Sequence, residues 1–72
     1  MTKEMAIDEA RVYLGRPTAQ VYDLIPAIWL EIWAVEFKLW KIKEGIKQEI
    51  DVDVWKEESK HLKRIYKWLT GK

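Results

Sequence analysis

The sequence predicts an all-α fold, a compact bundle of three to four helices with a long central Trp-rich helix. Apolar residues recur at steps of three and four through most of the 72 residues, and glycine and proline stand where helices end. Hydrophobic residues make up 49% of the chain and charged residues 35%, a composition that folds rather than one that stays disordered. One helical domain is expected over residues 1–72, with no repeat and no low-complexity run.

The first helix is expected from about Thr2 to Leu14, with Thr2 as its cap and Ile7, Ala10, Tyr13 and Leu14 near one face. Gly15, Arg16 and Pro17 stop it, since glycine takes the left-handed conformation after a helix and proline cannot continue one. Thr18 then caps a short second helix, TAQVYDL. Pro26 sets a boundary near Ile25, and Asp23 is the nearest residue able to cap a third, longer helix.

The long helix is expected from about Leu24 to Glu44. At 100° per residue its apolar side chains, from Ile25 to Ile42, cover roughly two thirds of the circumference, against a stripe of ~100° for an ordinary surface helix. Ala27, Glu31, Ala34, Lys38 and Lys41 remain as a narrow polar face. Gly45 ends the helix, with Lys38, Lys41 and Lys43 near the negative end of its dipole.

Ile50, Val52 and Val54 alternate in IKQEIDVDV, which reads as an extended connector or, alternatively, as a hairpin strand against KLWKIK. From Asp51 or Asp53 as cap, a last helix runs to about Thr70. Trp55, Leu62, Ile65, Tyr66 and Leu69 share one face, with Trp68 at its edge. Lys56, Lys60, Lys63, Arg64 and Lys67 occupy the opposite face.

The stretch IWLEIWAVEFKLW holds three of the five tryptophans and the one phenylalanine. Aromatic side chains bury ~150 to 250 Å² each, so five tryptophans ask for about 1000 Å² of cover. Two or three short neighbours supply only part of it. Trp29, Trp33, Trp40 and Trp68 are therefore candidate protein-interaction residues, tryptophan being enriched at interface hot spots; the alternative is that they are core. Glu36, a further candidate interaction residue, falls within the apolar arc and needs a cationic or hydrogen-bonding partner within the fold or on a second chain, for which Arg11, His61 and Arg64 are the candidates; the alternative is that local kinking carries it to the rim.

Charge is uneven although the net is only +1: residues 1–36 hold three basic and six acidic residues, residues 37–72 ten basic and six acidic. The basic face of the last helix suits an acidic partner or phosphate, the alternative being a solvated surface.

Catalytic chemistry is poorly supplied. Glu57, Glu58 and His61 lie within one helical turn, but there is no cysteine and no second histidine to complete a metal site. Ser59 and His61 are two apart and point to different sides, and no glycine-rich phosphate loop exists. No enzyme activity, cofactor or metal is expected. The polar, acidic start MTKEMAIDEA is unlike a secretory signal, and Glu31, Glu36 and Lys38 interrupt the longest apolar stretch, so a membrane partner is not expected.

The stretch YLGRPTAQVYDLIPAIWLEIWAVEFKL resembles small phage proteins of the tail-assembly chaperone kind, through Leu14, Gly15, Pro17, Val21, Leu24, Pro26 and Trp29. That resemblance implies an assembly factor covering apolar surface on another protein, in host cytoplasm or with the virion. The segment EARVYLGRPTAQVYDLI also resembles the helix-turn-helix of excisionase and MerR-type proteins, which implies a recognition helix at Thr18 to Leu24. Thr18 to Leu24 itself, TAQVYDL, lacks lysine and arginine and presents Asp23 to a polyanion. A non-enzymatic protein-interaction module, self-associating through Trp29, Trp33 or Trp40, is thus the leading expectation. A small DNA-binding protein is second and an amphipathic membrane-surface protein third.

Overall fold

A computed structural model describes residues 1–45 and 52–71. Among them the chain forms three helices, α1 (Lys3–Leu14), α2 (Val21–Lys43) and α3 (Val52–Thr70), and no strand. The all-α bundle expected from the sequence is therefore what forms, in a body of 38 × 20 × 18 Å whose long axis is set by α2.

Both ends of α1 have local chemical causes. The Thr2 hydroxyl accepts a 3.2 Å hydrogen bond from the Met5 N–H, satisfying one of the orphan donors of the first turn. At the far end Gly15 adopts φ 66°, and the N–H groups of Gly15 and Arg16 donate to the carbonyls of Val12 and Arg11 at 3.2 and 3.0 Å. This paired closure needs a left-handed residue, which glycine supplies without a Cβ penalty.

The second start differs from expectation. Thr18 caps no helix; residues 18–20 belong to the connection, and one continuous helix begins at Val21 and passes through Pro26. The helix survives its proline because a break near Ile25 would separate Leu24 from Ile28, which lie one turn apart on the same face and are both fully buried. Proline removes one donor, to the Tyr22 carbonyl, and Tyr22 and Pro26 are both exposed, so water can serve that carbonyl. Asp23 lies in the first turn, where the helix dipole favours a negative charge.

The extended reading of Val52 and Val54 also fails, because both lie in the first turn of α3, and Lys38–Lys43 is helical. Two apolar residues at a two-residue step fit either state, and the 19-residue periodic run behind them carries the helix forward. Asp53 is inside α3 rather than its cap, while Ile50 and Asp51 lie outside the described residues.

Three pairings define the topology. Glu36 meets Lys63, Lys38 meets Trp55, and Glu9 meets His61, so partner numbers on α3 fall as numbers on α2 rise, and α3 runs antiparallel to α2. Tyr13 of α1 lies beside Glu58, which together with Glu9 and His61 makes α3 antiparallel to α1 as well. The connection from Gly15 to Gln20 therefore returns along α1, held by a 2.9 Å hydrogen bond from the Arg11 Nε–H to the Ala19 carbonyl.

The core is small. Ala6 and Ala10 of α1, Leu24, Ile28 and Val35 of α2, and Leu62, Ile65 and Leu69 of α3 meet at its centre. The two alanines let α1 approach closely, and the three large side chains of α3 fill the space between the other helices. The Trp-rich helix is central in chain order, but in space α1 and α2 pack chiefly on α3. One side of α2 is left facing solvent.

Candidate interaction surface

The buried residues of α2, Leu24, Ile28 and Val35, step by four and seven and so define a single inner line. Glu31 and Lys38 lie along that line and are half-buried, not on a solvent face as their polarity suggests. Their ends reach polar or aromatic surroundings: the Lys38 Nζ lies 3.5 Å from the ring centre of Trp55, and Glu31 lies near the Tyr13 hydroxyl. Burial, and then the carboxylates of Glu58 and Glu31, push that hydroxyl up to about 12.

The opposite side of α2 is aromatic and open. Trp29, Leu30, Trp33, Phe37 and Trp40 keep between 46% and 61% of their surface exposed, and Tyr22 and Pro26 extend the same line toward the helix start. Steps of three and four residues place these side chains on one stripe about 100° wide. Within it Trp29 meets Trp33 edge to face at 5.6 Å, and Phe37 stacks on Trp40 at 5.7 Å with 11° between the rings. These geometries suit the ring quadrupoles. The Lys41 ammonium lies 4.5 Å above Phe37. The stripe is thus partly organised by its own contacts.

The remaining sequence-predicted residues divide between two other places. Glu36 lies at the seam of α2 and α3, where its Oε1 accepts hydrogen bonds from the Ser59 hydroxyl at 2.6 Å and from the Lys63 ammonium at 2.7 Å. Its partners are therefore Lys63 and Ser59, and not Arg11, His61 or Arg64. The bond from Lys63, then that from Ser59, holds the carboxyl below the usual carboxylate range, against a smaller opposing effect of burial. Arg11 instead binds the connection and lies near Asp8, and His61 Nε2 is 3.2 Å from Glu9. Arg11 is thus held by the connection and by Asp8 one turn away on its own helix, and His61 by Glu9 of α1, a contact between helices that periodicity within a single segment does not reveal.

Trp68 is on α3, away from the α2 stripe, in a shallow depression shared with Met1, Lys60, Lys63, Arg64 and Lys67. Lys56, Lys60, Lys63, Arg64 and Lys67 are all solvent-exposed, yet not equivalent: Lys63 is committed to Glu36, and Lys60 lies 3.6 Å from Glu57. Sequence reasoning missed Leu30, which stands beside the tryptophans on the open face, and Tyr22, assigned to a separate short helix. Leu30 falls within the expected long helix, at the edge of the stripe by its helical phase, and continuing that phase back through Pro26 would have found Tyr22.

Among the described residues, no cluster of three or more histidine, aspartate or glutamate residues could hold a metal, and no helix is long and apolar enough to cross a membrane. The chain matches no family model, no curated protein and no solved structure.

Proposed function

We propose that the chain is a non-enzymatic helical interaction module that presents the outer stripe of α2 to a protein surface. One observation carries this reading: five large apolar side chains, from Trp29 to Trp40, form a continuous exposed face although the core of Leu24, Ile28, Val35, Leu62, Ile65 and Leu69 closes without them. Contiguous apolar patches beyond a few hundred Å² are rare on monomers that meet nothing. The resemblance of residues 13–39 to small phage assembly proteins supports the finer reading, an assembly or adaptor protein of a phage or mobile element that covers apolar surface on another chain. The test is a titration of the purified protein with the products of neighbouring genes, monitored by tryptophan emission. Binding that shifts emission to the blue and survives moderate salt is expected, because apolar burial is not screened as charge is.

Duplex DNA at about 50 mM salt is the control, since non-specific binders are visible there. Micromolar DNA binding lost on charge reversal at Lys60, Arg64 and Lys67 would replace the protein-interaction reading. Lys63 is left in place because it holds Glu36.

A further inference from the structure

Resting on that reading, we infer that the occupant of the α2 stripe is a second copy of this chain, paired antiparallel through the same face. The first support is area. Each exposed aromatic on the stripe offers about half of the ~200 Å² such a side chain can bury, so Tyr22, Trp29, Trp33, Phe37 and Trp40 with Leu30 supply ~600 Å² per copy. Two copies then bury ~1200 Å², the lower edge of stable specific interfaces, which corresponds to a reversible dimer rather than an obligate one.

The second support is charge, and it fixes the direction. Asp23 and Lys41 are 18 residues apart, five turns of 3.6, so they stand at the same edge of the stripe at its two ends. In an antiparallel two-fold pair the same edges of the two helices meet, end to opposite end. Asp23 of each copy then lies beside Lys41 of the other, twice per dimer. A parallel pair would place the shared edge of the two copies on opposite sides of the contact, so that Asp23 meets no Lys41 and both favourable pairs are lost. Antiparallel helices also align their dipoles favourably.

A lipid surface suits the stripe less well. Interfacial helices flank their apolar face with lysine and arginine on both sides, whereas this stripe has a lysine, Lys41, at one edge, with Asp23 at the other end of that edge and the half-exposed Glu36 on the opposite edge.

Sedimentation velocity and light scattering, from low micromolar to submillimolar protein, test the proposal on the full chain. The expected result is a monomer–dimer equilibrium that Trp33→Glu weakens by roughly tenfold or more, as loss of a central aromatic anchor does. Asp23→Lys and Lys41→Glu should each weaken it by roughly tenfold, since each turns two attractions into two repulsions. The double variant Asp23→Lys/Lys41→Glu should recover wild-type affinity to within about twofold. All of these positions lie outside the buried core, and circular dichroism checks that the helices persist.

A dimer indifferent to Trp33→Glu, or single swaps that the double swap does not rescue, overturns the antiparallel pairing. A monomer at all concentrations overturns it too. If that monomer's tryptophans remain open to an aqueous quencher, only the second copy is rejected and another protein remains the occupant. If they are shielded in the monomer, the stripe is not a free face and the interaction reading falls with it. A blue shift on vesicles of phosphatidylglycerol and phosphatidylcholine, without dimerisation, assigns the stripe to lipid and overturns the proposal.

Discussion

Helices α2 and α3 are of comparable length, 23 and 19 residues, yet they relate polarity to burial in opposite ways. In α3 the apolar face goes inward and the lysine face outward, so Leu62, Ile65 and Leu69 are buried and Lys56, Lys60 and Lys67 are exposed. In α2 apolar side chains occupy both sides, and two charged residues, Glu31 and Lys38, lie toward the neighbours while tryptophans face water. Amphipathicity predicts orientation only where one face is polar. Where both are apolar, the available neighbours decide, and here there are neighbours for one side alone.

A core position and an open one should differ most. Leu62→Ala removes a fully buried side chain from the middle of α3 and should cost about 2 to 5 kcal/mol, a large share of the stability of so short a chain. Trp33→Ser, a larger change in volume, removes a half-exposed ring and its edge-to-face contact with Trp29 and should cost only about 1 kcal/mol at concentrations below dimerisation. Urea denaturation monitored by circular dichroism measures both. Equal costs would mean that the outer side of α2 is covered as fully as the inner face of α3, and the contrast between the helices would vanish.

A smaller effect comes from the junction where α1 meets both helices. The Tyr13 hydroxyl is raised to about 12 in the folded chain from an ordinary value near 10. A group raised on folding contributes stability that is present below its unfolded value and is lost as pH rises through the folded one. Stability should therefore fall between about pH 10 and pH 12, by at most ~2 kcal/mol, and Tyr13→Phe should flatten that part of the profile. Thermal melts of the two proteins across this range would show it, and identical profiles would place Tyr13 in water.

The smallest effects belong to the α2–α3 seam. Ser59 is buried and donates to Glu36, so Ser59→Ala should cost about 1 kcal/mol. Glu36 itself keeps 42% of its side chain exposed, so after solvent screening Glu36→Gln should cost less than ~1 kcal/mol. Its pKa is lowered on folding, so its contribution is present above the ordinary glutamate value and is lost as pH falls through the folded one. A loss of several kcal/mol on Glu36→Gln would instead describe a fully buried ion pair, and would make the seam part of the core.

The sequence by itself determined the elements whose cause is local. The Thr2 cap, the Gly15 closure, the end of α2 before Gly45 and the two-faced character of α3 each depend on residues within a turn or two of one another, and each is legible. The charged pairing of Glu36 is legible as a need, because a carboxylate among apolar neighbours requires a donor, but not as an identity, because Ser59 and Lys63 arrive from a helix 23 and more residues away. The path of α2 through Pro26 was decided by tertiary packing: burying Leu24 and Ile28 on one line outweighs a hydrogen bond that water can replace. Which side of α2 faces water was likewise a tertiary decision. Hydropathy alone does not distinguish two apolar faces of one helix, and the choice falls to the alanines of α1 and the leucines and isoleucine of α3, whose shapes fit the line of Leu24, Ile28 and Val35 and leave the bulkier tryptophans outside.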